Sequence, residues 1–152
     1  MMVALALIMS YIEAQIPAFF AVPGMKLGLT NIVVVVSLYL LGSKSAMFIN
    51  IVRIILVSLL FGNTMSLAFS FVGGMLSTLI MIILKKSGKF STVGVSAAGG
   101  ITHNIGQILV AIFLLNTGAV AWYLPILWIS GIISGVVIGI IAGIVTSRLA
   151  KV

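Results

Sequence analysis

Residues 124–147 carry no charged side chain. A helix through that run would cross the hydrocarbon core of a bilayer, which takes about 20 residues at 1.5 Å each. Five more apolar runs precede it, at residues 2–20, 27–41, 45–61, 66–84 and 95–115. Turn residues or charges break them: Pro17, Gly42, Gly62-Asn63, Lys85-Lys86, Asn116-Thr117-Gly118 and, after the last, Arg148. Over its 152 residues the chain is 62% hydrophobic and 6% charged. Soluble domains carry roughly 25% charged residues, so the solvent for this chain is lipid.

In lipid every backbone N–H and C=O must be paired within the protein, which leaves helices or a closed barrel. The runs are continuous and do not alternate with period two, so they read as helices. Val33, Val34, Val35 and Val36 favour strands on propensity, but an open strand edge has no partner in hydrocarbon.

Eight Lys and Arg stand against one acid, Glu13, for a formal net charge of +7. Six spans with the N-terminus inside would place Lys44, Lys85, Lys86, Lys89, Arg148 and Lys151 in the cytoplasm. Lys26 alone would lie outside, with Arg53 inside a span. That asymmetry is the positive-inside pattern. The expected fold is therefore all-α and integral to the membrane: six transmembrane helices, both termini cytoplasmic, residues 1–152 as one polytopic domain, multi-pass in the cell membrane. The opening MMVALALIMSYIEAQIP has no cation ahead of its apolar run, and reads as a first transmembrane helix rather than a signal peptide. No basic stripe with interleaved aromatics suggests nucleic acid.

With no cysteine and one histidine, the sequence offers no disulfide, no thiolate and no metal-ligand cluster. No metal or other cofactor is expected, and no phosphate-binding Walker loop is present.

Polar groups inside a bilayer are costly, about 2.5–3.5 kcal/mol or more for a charge at its centre. Glu13 lies roughly 16 Å along the first helix and Arg53 roughly 12 Å along the third. The two are close enough in depth to pair, as a structural brace or facing a ligand, and Asn50 shares a helix face with Arg53. Lys26, Thr30 and Asn31 surround the start of the second helix, where free N–H groups and a lysine would welcome an anion, or where Thr30 or Asn31 caps a tight turn.

The stretch GGITHNIGQ, residues 99–107, puts His103 and Gln107 on one helical face with Asn104 beside them. They read either as interhelical hydrogen-bond glue or as the floor of a ligand site. Trp122, Tyr123 and Trp128 fall at the outer interface, and read either as interfacial aromatics or, for Trp122 or Trp128, as ligand-stacking residues. Gly131, Gly135, Gly139 and Gly143 make a smooth packing stripe on the last helix.

PGMKLGLTNIVVVVSLYLLG (residues 23–42) and GGITHNIGQ together resemble the family of heptaprenyl diphosphate synthase component I, also called the Gx transporter family. That family looks like the substrate-binding (S) components of energy-coupling factor transporters. The resemblance implies a six-helix S-component-like bundle that captures a vitamin-like or isoprenoid- or quinone-related molecule near the outer face. It also implies partners: a transmembrane coupling subunit and cytoplasmic ATPases in trans.

On that reading the ligand residues are Lys26, Thr30, Asn31, His103, Asn104, Gln107 and Trp122. S components present small residues four apart on helix one, and here only Ala14 and Ala18 fit, with Pro17 between them. The alternative is a non-catalytic membrane partner of a polyprenyl diphosphate synthase. Prenyl transfer itself needs Mg²⁺ held by clustered carboxylates, and one glutamate cannot build that site. A third reading is a small structural subunit, for which the glycine stripe alone would be explanation enough.

Overall fold

The structure, a computed structural model, describes residues 1–15, 28–61 and 64–149. These form six α-helices: α1 (Met2–Gln15), α2 (Leu29–Leu40), α3 (Ser43–Phe61), α4 (Thr64–Ser87), α5 (Thr92–Leu115) and α6 (Leu124–Leu149). A 3-10 helix, Gly118–Tyr123, precedes α6. There is no strand among the described residues, and the four valines lie within α2.

Helix count agrees with the sequence reading, whereas length divides the set. Four stretches are long and apolar enough to cross a membrane: Ser43–Leu60, Leu67–Ser87, Thr92–Leu115 and Gly118–Leu149. As described, α1 and α2 are shorter. The 12 residues of α2 rise only about 18 Å at 1.5 Å each.

That short helix is the centre of the bundle. Residues 33–38 are buried in succession, and a helix that is buried all round must be enclosed by others. Val34, Val35, Val36 and Leu38 share one core with Ala46 of α3, Met81 of α4, Val95 of α5 and Ile138 and Ala142 of α6. Val33 joins Ala6 of α1 and Ile49 of α3 in a smaller cluster.

A helix end needs partners for its free carbonyls. Leu41 N and Gly42 N both donate to Ser37 O, at 2.8 and 3.1 Å. Gly42 makes this turn with φ 90°, a conformation that suits glycine. Lys85 Nζ, from the last turn of α4, donates to Leu38 O. Its ammonium also stands 5.0 Å from the centre of the Tyr39 ring. A cation at a helix C-terminus complements the macrodipole.

Helices α4, α5 and α6 pack side by side through their glycines. The pairs Gly100–Gly131, Ala97–Gly135 and Val93–Gly139 run in opposite directions, so α5 and α6 are antiparallel. A Cβ on Gly135 would lie 2.7 Å from both Ala97 Cα and Ser96 O, and one on Gly139 would lie 2.6 Å from Val93 Cα. The stripe on α6 is therefore a packing surface over three of its four glycines. Gly143 stands apart, since its Cβ would meet only Thr92 Cβ at 4.0 Å.

The sequence started the fifth helix at residue 95. The observed start is three residues earlier, because Ser91 caps it by accepting from Gly94 N at 3.2 Å. Met2 of α1 and Val145 of α6 pack on the same core, so the start of α1 and the late turns of α6 lie at one end of the bundle. Lys44, Lys85, Lys86, Lys89 and Arg148 belong to that same end, next to the core residues Ala46, Leu84, Val95 and Val145.

Two alanine substitutions test the stripe. Gly135→Ala should lower stability by about 1–3 kcal/mol, the usual cost of overpacking. Gly143→Ala should stay within about 0.5 kcal/mol of the parent. Thermal unfolding in mild detergent reads both, and equal behaviour of the two variants would remove the packing assignment.

Candidate functional site

Among the described residues, three groups of polar side chains inside the bundle bear on the sequence-derived candidates. The first is at the start of α2, where Gly28 adopts φ 75°. Gly28 N donates to Glu13 Oε1, and Thr30 Oγ1 lies 3.2 Å from Glu13 Oε2. Ser10 Oγ and Thr30 Oγ1 are 2.8 Å apart. Thr30 is 1% exposed. The amide of Asn31 lies over Gly28 beside Ile138, since a Cβ on Gly28 would be 3.4 Å from Asn31 Nδ2 and 3.1 Å from Ile138 Cδ1. The helix N-terminus that the sequence offers to an anion thus holds the chain's own carboxylate. The negative charge faces the positive end of the dipole.

The second group joins α3 to α4. Asn50 Nδ2 donates to Gly74 O at 3.0 Å and to Thr78 Oγ1 at 2.8 Å. Thr78 Oγ1 donates to Gly74 O, also at 2.8 Å. With its NH₂ so engaged, Asn50 turns Oδ1 to Arg53, whose Nη2 donates to it at 2.6 Å. Arg53 Nε is buried with no hydrogen-bond partner. Glu13 acts on Arg53 through its charge. Among the described residues, however, the two make no direct ion pair: Glu13 bonds to the start of α2 and Arg53 to Asn50.

The third group is the polar stretch of α5, and its side chains diverge. His103 and Gln107 face Gly73 of α4, where a Cβ would lie 3.2 Å from His103 Cε1 and from Gln107 Cγ. Gly106 backs onto the same glycine, its Cβ position 2.7 Å from Gly73 Cα. Asn104 points the other way, and its Nδ2 donates to Leu127 O of α6. Thr102 Oγ1 turns back to Ala98 O at 2.8 Å, a bond within its own helix.

Of the remaining sequence-derived candidates, Trp122 stands 85% exposed on the 3-10 helix. Lys26 lies outside the described residues, as do Pro23, Gly24 and Ala18. The structure therefore brings Thr30 to Glu13, and His103 and Gln107 to one glycine, while Asn104 and Trp122 lie elsewhere. Sequence reasoning missed Ser10, Thr78 and Lys85 as partners. The Gly73-Gly74 pair one turn before Ser77-Thr78 was the available sign of a close polar contact on α4.

A groove of about 600 Å³ opens at the lysine-rich end, between the starts of α1 and α3. Met2, Leu41, Phe48 and Ile49 line it, with Lys44 and Ser45 as its polar groups. It lies at the opposite end from the Glu13 group.

Four membrane-length helices around a buried short one, with hydrogen-bonded polar groups inside and apolar side chains such as Phe113 and Ile133 facing outward, define a helical membrane protein. A family model for heptaprenyl diphosphate synthase component I matches residues 2–145, so the chain belongs to that family. No curated protein and no solved structure matches the chain.

Hydrogen bonds to an ionised group contribute more than neutral ones, about 1.5–3 kcal/mol. Glu13→Ala should therefore cost about that much in unfolding experiments, and Glu13→Gln less, since an acceptor remains. An alanine variant that unfolds at the parent's temperature would show that the start of α2 does not depend on this carboxylate.

Proposed function

We propose that this protein is a substrate-binding, S-like membrane component of an energy-coupling factor type uptake transporter. It crosses the cell membrane six times with both termini in the cytoplasm. It binds a vitamin-like or isoprenoid- or quinone-related small molecule and catalyses nothing itself. A transmembrane coupling subunit and cytoplasmic ATPases act in trans.

The observation that carries this reading is the placing of the polar groups. The helices hold amides, hydroxyls and a guanidinium in their interior, away from the lysine-rich end. A plain anchor has no need of so many groups that are costly in lipid. The whole chain holds one carboxylate, one histidine and no cysteine. That supports binding over catalysis, because prenyl transfer calls for a carboxylate-held metal.

In this reading Lys26, Thr30, Asn31 and Trp122 line or cover the ligand from the outer side. His103, Asn104 and Gln107 form the layer beneath. The short α1 and α2 reach across where the bilayer thins. The second reading, a non-catalytic membrane partner of a polyprenyl diphosphate synthase, is favoured by the family's name.

Purification from native membranes in gentle detergent, with mass spectrometry of proteins and small molecules together, separates the two. A coupling subunit with its ATPases is the expected recovery. A soluble prenyl synthase in its place would overturn transport in favour of the partner reading. Lys26→Ala and Asn31→Ala should each reduce the retained small molecule while leaving folded protein at the parent's yield. Unchanged retention in both would remove them from the site.

A further inference from the structure

Arg53 carries a charge that the chain meets only in part, since Glu13 acts on it without bonding to it. It lies about 15 Å beyond Ser43 along α3, near the middle of a membrane-length helix. Its sequence neighbours are apolar: Ile51, Val52, Ile54, Ile55 and Leu56. Cations at such depth normally pair with an anion or face a polar cavity. Glu13 is the chain's only acidic side chain, and its two oxygens engage Gly28 N and Thr30 Oγ1. Among the described residues no carboxylate therefore touches the guanidinium.

Asn50 is a neutral acceptor and takes a single Nη2 bond. It is itself locked by Gly74 and Thr78, so the guanidinium is held in a fixed orientation. A planar guanidinium whose Nε–H has no partner suits a carboxylate or phosphate.

We propose that Arg53 is an anion-binding residue, and that the molecule taken up by this bundle carries a carboxylate or phosphate on an otherwise apolar body. The proposal rests on the ligand-binding reading above and gives it a substrate class. It also separates Arg53 from a bracing role. A brace holds the empty protein together, whereas a ligand-pairing cation is a liability until the ligand arrives.

The test uses the full chain, stripped of bound molecules and placed in nanodiscs, with three probes sharing one tail: farnesyl diphosphate, farnesoic acid and farnesol. Thermal unfolding is followed for the parent, Arg53→Gln, Arg53→Lys and Lys86→Gln. The last removes the same charge from the lysine-rich end. The empty Arg53→Gln protein should unfold at or above the parent's Tm. Farnesyl diphosphate or farnesoic acid should raise the parent's Tm by several degrees and farnesol should not.

That difference should vanish in Arg53→Gln, persist in part in Arg53→Lys and remain whole in Lys86→Gln. Which of the two anions acts decides between phosphate and carboxylate. A lower Tm for the empty Arg53→Gln protein would make Arg53 a brace and overturn the proposal. So would an equal response to alcohol and anions, or no response to any probe. In those cases, recovery of the coupling subunit from native membranes would leave the transport reading standing.

Discussion

The two ends of α2 govern this fold. A helix of 12 residues leaves its first N–H and last C=O groups without partners of its own. Both ends are met instead by charge of the complementary sign. Glu13 of α1 faces the N-terminus and Lys85 of α4 faces the C-terminus. The macrodipole rewards each in that place and would penalise the exchange. In a medium of low dielectric such bonds are stronger than in water, and their absence costs correspondingly more. The rest of the bundle can close around α2 because its ends are satisfied.

Closing is the work of small residues. Lipid tails are as apolar as leucine, so burial alone does not drive these helices together, and close van der Waals approach must do so. Gly73 against Gly106, and Gly100 against Gly131, bring backbones to near contact. At the same points the polar side chains find carbonyls on the next helix. Asn50 reaches Gly74 O and Asn104 reaches Leu127 O. Shape and hydrogen bonding are thus coupled, since a bulkier residue at Gly74 would push against both Asn50 and Ile54.

Much of this architecture was legible in the chain itself. Uninterrupted apolar runs set the helices, and the i+4 glycines of α6 announced its interface. The sequence also grouped Asn50 with Arg53. Pairing of Glu13 with Arg53 followed from depth alone, because depth along a helix says nothing of azimuth. Glu13 bonds to the start of α2 and acts on Arg53 only through its charge. The divergence of His103 and Asn104 was implicit in their adjacency, about 100° apart around a helix. Which neighbour each would meet depended on packing order. Lys85 read as a topogenic charge, and nothing local indicated that it would cap a helix 47 residues away.

That separation has a consequence for biosynthesis. The N-terminal end of α2 meets its partner almost at once, since Glu13 precedes Gly28 by 15 residues. The other end has to wait until α3 and nearly all of α4 have left the ribosome. During that interval the Leu38 carbonyl and the buried Ser37 have no lysine above them. The contact that closes the C-terminal end of α2 is therefore completed only once residue 85 has been made.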